Sequence, residues 1–353
     1  MAGSKELVLV TGGSGFVGSH CIVAALNAGY QVRTTIRSLS RANDVREMLR
    51  AGGVTEDKVN SVQFHAVDLL KDDGWTNACK DCTYVLHVAS PFPAKPPKKE
   101  NDLIGPARDG TLRALRAAKA AATVRRVILT SSTASVISGH SLERYHKGPF
   151  TEKDWTNVED PATPVAAYQK SKTLAERAAW DWISKEGEGL EMATVHPCGI
   201  YGPVLSKHMA TSVTLIEACL NGSLPVLPKM SFGVIDVRDV ADLHLRTMTD
   251  PKAKGERFLA VADEYIDIPA QAEVLRRRLG KKAKRVPTFI APDWMMRIVS
   301  WFDPRVALLV PYLGKRIEES NAKAKNMLGW RPRGVEEALI ATAESLERFG
   351  LLK

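Results

Sequence analysis

The chain has 353 residues, of which 44% are hydrophobic and 25% are charged, and its formal net charge is +9. This composition is typical of a soluble globular protein, and the length suggests about two domains. The first residues lead directly into an apolar strand, and no apolar run approaches the ~20 residues of a membrane helix. We therefore expect neither a signal peptide nor a membrane span.

The cysteines and the basic clusters exclude further classes of protein. Five scattered cysteines argue against a disulfide framework and favour a reducing, cytoplasmic setting. Cys79 and Cys82 have no second pair at zinc-finger spacing, so no metal site is predicted. The basic clusters Lys95–Lys99 and Arg276–Arg285 accompany no nucleic-acid reader motif or stacking aromatics, and they are interpreted as a solvated loop and a solvated helix end.

Short apolar runs alternate with longer helical stretches over the first two-thirds of the chain. The predicted strands are Leu7–Thr11, Val32–Ile36, Val62–Val67, Tyr84–Val88, Val127–Thr130 and Met192–Val195. The predicted helices between them include Val17–Ala28, Arg41–Ala51, Ala107–Ala122 and Ala166–Ser184. This alternation predicts an α/β fold, namely a Rossmann-type, doubly wound parallel sheet whose strands are buried on both faces.

A glycine motif of the form G-x-x-G-x-x-G connects the first predicted strand to the first predicted helix. Its glycines and the helix start are Gly12, Gly15, Gly18, Phe16 and Val17. Glycines here permit a tight turn and close approach of the backbone to a pyrophosphate, and the helix N-terminus binds phosphate oxygens. We predict that this segment binds a dinucleotide.

The end of the second strand indicates which dinucleotide is bound. An NAD site usually has an acidic residue ~20 residues after the loop, bonded to the ribose 2′-hydroxyl, but Thr35–Ser38 contains none. Arg37 suits a 2′-phosphate, so NADPH is the predicted cofactor; the alternative is a surface arginine with NADH. Asp68 and Leu69 follow the third strand and are predicted to lie beneath the adenine, although Asp68 would equally suit a helix N-cap.

Tyr168 and Lys172 form a Tyr-x-x-x-Lys pattern on a predicted helix. The spacing places both side chains on one helix face, where an ammonium group would lower the phenol pKa from its usual ~10. Upstream, Ser131 and Ser132 end a strand at the carboxyl edge of the sheet, where open α/β folds bind ligands. These residues are candidates for proton transfer.

The glycine loop, the strand-end serines and the Tyr-x-x-x-Lys pattern together resemble the extended short-chain dehydrogenase/reductase superfamily. The resemblance covers nearly the whole chain, in particular the branch of dihydroflavonol reductases, cinnamoyl-CoA reductases, and yeast methylglyoxal and fungal carbonyl reductases. Further matching segments are Leu86–Pro91, Pro106–Thr111, Val124–Val127, Ser171–Glu176 and Asp236–Ala241.

The resemblance implies an NADPH-dependent carbonyl reductase that converts an aldehyde or ketone to an alcohol. It implies that Tyr168 gives a proton to the carbonyl oxygen, that Ser132 hydrogen-bonds the same oxygen, and that Lys172 holds the nicotinamide ribose. Ala89 and Pro197 would line the nicotinamide side. Strand alternation points Ser131 the other way, which makes it the weaker candidate for catalysis.

Departures from the pattern narrow the function. Val165–Gln169 lacks the Asn-Trp-Tyr-Cys-Tyr-type run of cinnamoyl-CoA reductases, and Thr133 and Ala134 stand where sugar-nucleotide dehydratases carry Asp-Glu. Arg37 argues against the tightly held NAD of nucleotide-sugar epimerases. A hydroxysteroid-type dehydrogenase, an epimerase-like enzyme and a non-catalytic dinucleotide sensor stay as alternatives, although such sensors lack the catalytic tyrosine.

The last third of the chain has shorter helices punctuated by prolines. We expect a dinucleotide-binding domain over residues 1–198 and a smaller, mainly helical substrate domain over residues 199–353, with residues 234–249 rejoining the first. The apolar stripe in Trp294–Phe302 favours core packing; the alternatives are the lining of an apolar pocket and a membrane-surface contact. The expected substrate is a small apolar or aromatic carbonyl compound, Lys95–Lys99 would steer anionic ones, and the assembly is a monomer or homodimer.

Overall fold

A computed structural model describes residues 6–91, 97, 99–207, 213–302, 306 and 310–353 of the chain. Seven parallel strands form its main sheet: β1 (Leu7–Thr11), β2 (Gln31–Ile36), β3 (Gln63–Ala66), β4 (Tyr84–His87), β5 (Arg126–Thr130), β6 (Glu191–Pro197) and β10 (Arg257–Ala260). Their order across the sheet is β10-β6-β5-β4-β1-β2-β3. The predicted doubly wound parallel sheet is therefore confirmed.

Helices cover both faces of this sheet. The described α-helices are α1 (Phe16–Asn27), α2 (Ala42–Ala51), α3 (Glu56–Ser61), α4 (Trp75–Cys79), α5 (Asn101–Ala120), α6 (Leu142–His146), α7 (Ala167–Glu186), α8 (Val213–Asn221), α9 (Val237–Thr249), α10 (Ile268–Leu279), α11 (Asp293–Val299), α12 (Ala322–Leu328) and α13 (Val335–Arg348). Helices α1 and α9 pack together on one face, and α5 and α7 pack on the other. Among the residues that the structure describes, no helix is both long and apolar enough to cross a bilayer.

A second, smaller core lies beyond the carboxyl end of β6. It is built by α8, α10 and α13 together with two short parallel sheets. The sheets pair β7 (Gly199–Tyr201) with β9 (Val234–Asp236), and β8 (Leu227–Pro228) with β11 (Ile290–Ala291). This is the smaller, mainly helical part that the sequence predicts.

Later segments also return to the main sheet. Strand β10 forms one edge of the main sheet, which the sequence did not predict. Strand β9, which begins the predicted segment 234–249, pairs with β7 in a small sheet and not in the main one. Helix α9 packs against α1, and Trp330 is fully buried in the same core with its indole N–H donating to the Asp239 carbonyl over 3.1 Å. A division at residue 198 stays a proposal, with residues 234–260 and 322–330 packed on the first domain.

Candidate active site

The glycine turn between β1 and α1 is packed so closely that side chains do not fit. Gly12 has a φ of +72°, and its N–H donates to Thr35 Oγ1 over 3.1 Å. A Cβ atom on Gly13 would lie 2.1 Å from Thr34 Oγ1, and one on Gly18 would lie 2.3 Å from the Gly12 carbonyl oxygen. The turn therefore needs glycine for its own geometry, as a loop that admits a pyrophosphate does.

The N-terminus of α1 opens from this turn. Gly15 is the N-cap and makes no side-chain cap hydrogen bond, so Phe16 and Val17 begin the helix without a side-chain cap from this residue. Ala89, two residues after β4, lies against the turn, because its N–H donates to Thr11 Oγ1 over 3.0 Å. Together these residues form a cradle that fits the phosphates of a dinucleotide.

The end of β2 carries two arginines. Arg37 is exposed directly after the strand. Arg41, which the sequence analysis missed, donates from Nη1 to Ser14 Oγ over 3.4 Å and from Nε to Asp44 Oδ2 over 3.2 Å. Its spacing of four residues from Arg37, in the same connection to α2, is the signal that could have identified it.

Asp68 and Leu69 follow β3, at the same end of the sheet as the carboxyl end of β2. Asp68 Oδ1 accepts the Leu70 N–H over 3.0 Å, and the next helix begins only at Trp75. Asp68 therefore caps a turn, and the helix N-cap alternative is wrong. Leu69 packs against Gly110 of α5, where a Cβ would lie 2.9 Å from its Cδ2.

Ser132 and Tyr168 come together at the carboxyl edge of the sheet. Their side chains are hydrogen-bonded, and Ser132 Oγ also donates to the Pro197 carbonyl oxygen over 3.4 Å. Burial raises the pKa of Tyr168, and the bond with Ser132 opposes that rise. Burial decides the direction of the shift, so the lowering of this pKa that the spacing from Lys172 predicts is not found, and Tyr168 keeps its proton at neutral pH.

Lys172 lies one helical turn beyond Tyr168 on α7 and is 9% exposed. Burial lowers its pKa from 10.5 to about 8, and the nearby Glu176 opposes that change. A small cavity beside it is lined by Ala89, Ser90, Thr111, Leu129, Thr130, Ser131, Lys172, Ala175 and Glu176. The ammonium group is therefore charged at pH 7 and lies beside the residues that follow β4.

The hydroxyl of Ser131 is bonded to the buried Glu176 carboxylate and not to Tyr168. It donates to Glu176 over 2.6 Å, and Ser135 donates to the same carboxylate over 2.7 Å. His196 Nε2 and Arg257 Nε approach it to 2.9 and 2.8 Å. Glu176 follows Lys172 by four residues, which was the one local signal of this network.

The sequence also predicted roles for Lys95–Lys99 and for the Trp294–Phe302 stripe. In Lys95–Lys99, residues 95, 96 and 98 lie outside the described residues. The prediction of core packing for the Trp294–Phe302 stripe is wrong: only Met296 is buried, while Trp294, Trp301 and Phe302 are 64%, 79% and 82% exposed. The physical reason is that α11 has only seven residues and turns Met296 toward Ala291 and Leu313, which leaves its other face uncovered.

Comparisons with known proteins agree with this geometry. The family model of the NAD dependent epimerase/dehydratase family matches residues 8–260. Ketoreductase azaE of Aspergillus niger is 31% identical over 86% of this chain and 91% of its own length, and a dihydroflavonol 4-reductase of Zea mays is 32% identical over 78% of this chain and 75% of its own length.

A solved structure is similar over almost the whole fold. Yeast methylglyoxal/isovaleraldehyde reductase Gre2 complexed with NADPH matches with a TM-score of 0.78 and 26% identity, over 98% of this chain and 100% of that chain. The matched residues 8–260 include the glycine turn, Ser132, Tyr168 and Lys172. The chain belongs to the NAD dependent epimerase/dehydratase family, as its resemblance to the extended short-chain dehydrogenase/reductases predicts.

Proposed function

We propose that this protein is an NADPH-dependent carbonyl reductase that converts an aldehyde or ketone to an alcohol. The observation that carries the proposal is the hydrogen-bonded pair of Ser132 and Tyr168, with Lys172 one turn away and the glycine turn beside Ala89. Relatives named as a ketoreductase and as dihydroflavonol and methylglyoxal reductases support the same class of reaction.

The chain's own residues would divide the work as follows. NADPH, when bound, supplies the hydride. Tyr168 gives its proton to the carbonyl oxygen, and its raised pKa keeps that proton in place until charge develops on the oxygen. Ser132 hydrogen-bonds the same oxygen, and Lys172 holds the ribose hydroxyls of the nicotinamide half.

The preference for NADPH rests on the end of β2. Arg37 is exposed, and Thr35–Ser38 contains no acidic residue. Arg37 can therefore pair with the 2′-phosphate of NADPH, whereas this segment offers no carboxylate to accept a hydrogen bond from the 2′-hydroxyl of NADH. Arg41 adds a second cation that already reaches Ser14 of the glycine turn. The Gre2 structure was solved with NADPH, which supports this choice.

The substrate is proposed to be a small apolar or aromatic carbonyl compound. The monomeric or dimeric state, the cytoplasmic location and the part played by Lys95–Lys99 stay predictions of the sequence.

The experiment follows NADPH oxidation with benzaldehyde-type aldehydes, aryl ketones, keto esters, keto acids and a UDP-sugar. Turnover of several aldehydes and ketones is expected. Tyr168→Phe should reduce turnover at least ~100-fold, because a positioned general acid contributes ~10²–10⁴-fold. Tyr30→Phe is the matched control. Tyr30 precedes β2, at the amino-terminal end of the parallel strands, whereas Tyr168 lies at their carboxyl end. Turnover confined to the UDP-sugar would contradict the proposal.

A further inference from the structure

Exposed apolar side chains are concentrated in one short segment of the chain. Among the described residues ten large hydrophobic side chains are exposed, and seven of them form what we call the α11 face: Phe289, Ile290, Trp294, Ile298, Val299, Trp301 and Phe302. Exposed hydrophobic residues that occur singly need no explanation, whereas a group of neighbours marks a binding surface. The α11 face therefore calls for an occupant.

Backbone hydrogen bonds hold the α11 face in place. At the start of β11, the Leu227 N–H donates to the Phe289 carbonyl over 2.9 Å. At the end of α11, the Trp301 N–H donates to the Ile298 carbonyl over 3.1 Å. Trp294, Ile298 and Trp301 are spaced i, i+4 and i+7, so they project from one side of this helical turn. The aromatic side chains are thus presented by an ordered backbone.

The same part of the chain carries most of the protein's net charge. Residues 276–302 contain eight basic side chains and one acidic side chain, Asp293, which gives a net charge of +7 out of +9 for the whole chain. Three of these cations are compensated by α13, because Glu336 and Glu347 form ion pairs with them: Arg277, Arg278 and Lys282. The remaining cations leave the segment strongly positive.

Two of the remaining cations lie between the end of α10 and the α11 face. Lys281 and Lys284 are exposed, and no carboxylate in the described part of the chain pairs with either. Only Arg285–Thr288 separate Lys284 from Phe289, the first residue of the α11 face. Arg297, within α11 itself, is exposed as well. Cationic and aromatic side chains therefore occur side by side on this surface.

This combination selects a lipid surface as the occupant. Exposed aromatic residues enter the boundary between headgroups and hydrocarbon, and neighbouring lysines and arginines are attracted by anionic headgroups. Interfaces between proteins are instead depleted of lysine. A small-molecule pocket encloses most of its ligand, whereas Trp294, Trp301 and Phe302 are 64%, 79% and 82% exposed.

We propose that the α11 face docks on the surface of a membrane that contains anionic phospholipids. The aromatic side chains enter the headgroup region, and Lys281 and Lys284 lie against the negative charges of the lipids. This is attachment to one side of the membrane, in which no part of the described chain spans it. The inference is independent of the proposed reductase function, so either can hold without the other.

Co-sedimentation with lipid vesicles tests the proposal. The unmodified protein should bind vesicles of phosphatidylcholine mixed with phosphatidylserine more tightly than vesicles of phosphatidylcholine alone, and added salt should weaken that binding. The double substitution Trp294→Ala with Trp301→Ala should reduce binding at least ~10-fold, because it removes two large apolar side chains. Lys281→Gln with Lys284→Gln should reduce binding to the anionic vesicles up to ~30-fold, since each cation near the surface contributes a factor of about five.

Two controls match these changes at other exposed positions. Leu142→Ala removes a side chain that is 65% exposed on α6, and Lys80→Gln with Lys153→Gln removes the same charge at exposed lysines elsewhere. Both controls should bind as the unmodified protein does. Failure of the unmodified protein to bind anionic vesicles, equal binding to both kinds of vesicle, or equal losses in the controls would overturn the proposal. A protein that ignores vesicles but forms a dimer that the tryptophan substitutions dissociate, measured by sedimentation velocity, would assign the α11 face to a second copy of the chain instead.

Discussion

The hydroxyl of Ser131 donates to the carboxylate of Glu176 over 2.6 Å, so the first serine after β5 belongs to the interior. The second serine, Ser132, is left to bond Tyr168. The buried carboxylate of Glu176 thus gives Ser131 a structural role and leaves Ser132, an identical side chain, for the candidate active site. It also holds Arg257 of β10 against α7, because the Arg257 Nε donates to it over 2.8 Å.

Stability should depend on Glu176 in a manner that varies with pH. Burial alone would raise the pKa of this carboxyl, but His196, Arg257 and Ser131 together hold it well below 4.5. A depressed pKa gives stability that is present above pH ~4.3 and lost as pH falls through the folded-state value. Removing one partner of a buried ion pair costs about 3–5 kcal/mol, so Glu176→Gln should lose that amount at pH 7.

Urea unfolding of both proteins between pH 3 and pH 8 measures this effect. The gap in unfolding free energy should narrow below about pH 4.3, because the Glu176 carboxyl of the unfolded chain becomes protonated there while that of the folded protein stays ionised. Glu47→Gln is the control, since Glu47 is 73% exposed in an ion pair with Arg50 and should change stability little. A gap that stays constant with pH would show that the loss comes from packing.

Cofactor preference should depend on Arg37 and Arg41. A charge-assisted bond is worth ~1.5–3 kcal/mol, so Arg37→Ala should lower kcat/KM for NADPH by roughly 10- to 100-fold and hardly affect NADH. Arg41→Ala should have a smaller effect in the same direction, because Arg41 also pairs with Asp44. Arg46→Ala is the control, as Arg46 lies over the Phe64 ring. Equal losses for both cofactors would contradict the assignment.

Activity should decline as pH rises through about 8. The pKa of Lys172 is lowered from 10.5 to about 8, so the ammonium group is present below that pH and lost above it. Tyr168, whose pKa is raised, keeps its proton over the same range. kcat/KM for NADPH between pH 6 and pH 10 reports this titration in the free enzyme.

Lys172→Arg supplies the comparison for this profile. Arginine stays charged throughout the range, so the decline near pH 8 should disappear even if the overall rate is lower. If the decline persists in Lys172→Arg, another group is responsible for it.

The glycine turn should not tolerate a methyl group at Gly18. A Cβ there would lie 2.3 Å from the Gly12 carbonyl oxygen, which is backbone and cannot rotate away. Gly18→Ala should therefore abolish saturable NADPH binding, measured by titration of cofactor fluorescence. Gly105→Ala in α5 is the control, because apart from its chain neighbours and its own helix backbone no atom lies within 4 Å of the added carbon. It should leave NADPH binding unchanged, whereas NADPH binding that survives in Gly18→Ala would contradict this account of the turn.

The sequence predicted the features that depend on neighbouring residues. The six predicted strands and the helix that carries Tyr168 follow from local hydrophobic runs, and the glycine turn follows from a motif of seven residues. Strand β10 was missed because Arg257–Ala260 is short and pairs with a strand more than 60 residues earlier in the chain. The role of Glu176 was missed because, apart from its spacing of four residues from Lys172, its partners Ser131, His196 and Arg257 come from distant segments of the chain.

The exposed aromatic residues near α11 give the molecule two classes of fluorophore. Of its seven tryptophans, Trp294 and Trp301 are 64% and 79% exposed, whereas Trp75, Trp182 and Trp330 are at most 6% exposed. Collisional quenching by acrylamide should therefore act first on the C-terminal pair, while the buried group reports the integrity of the core. A ligand that covers α11 would protect the first signal and leave the second unchanged, so the location of binding can be read without a label.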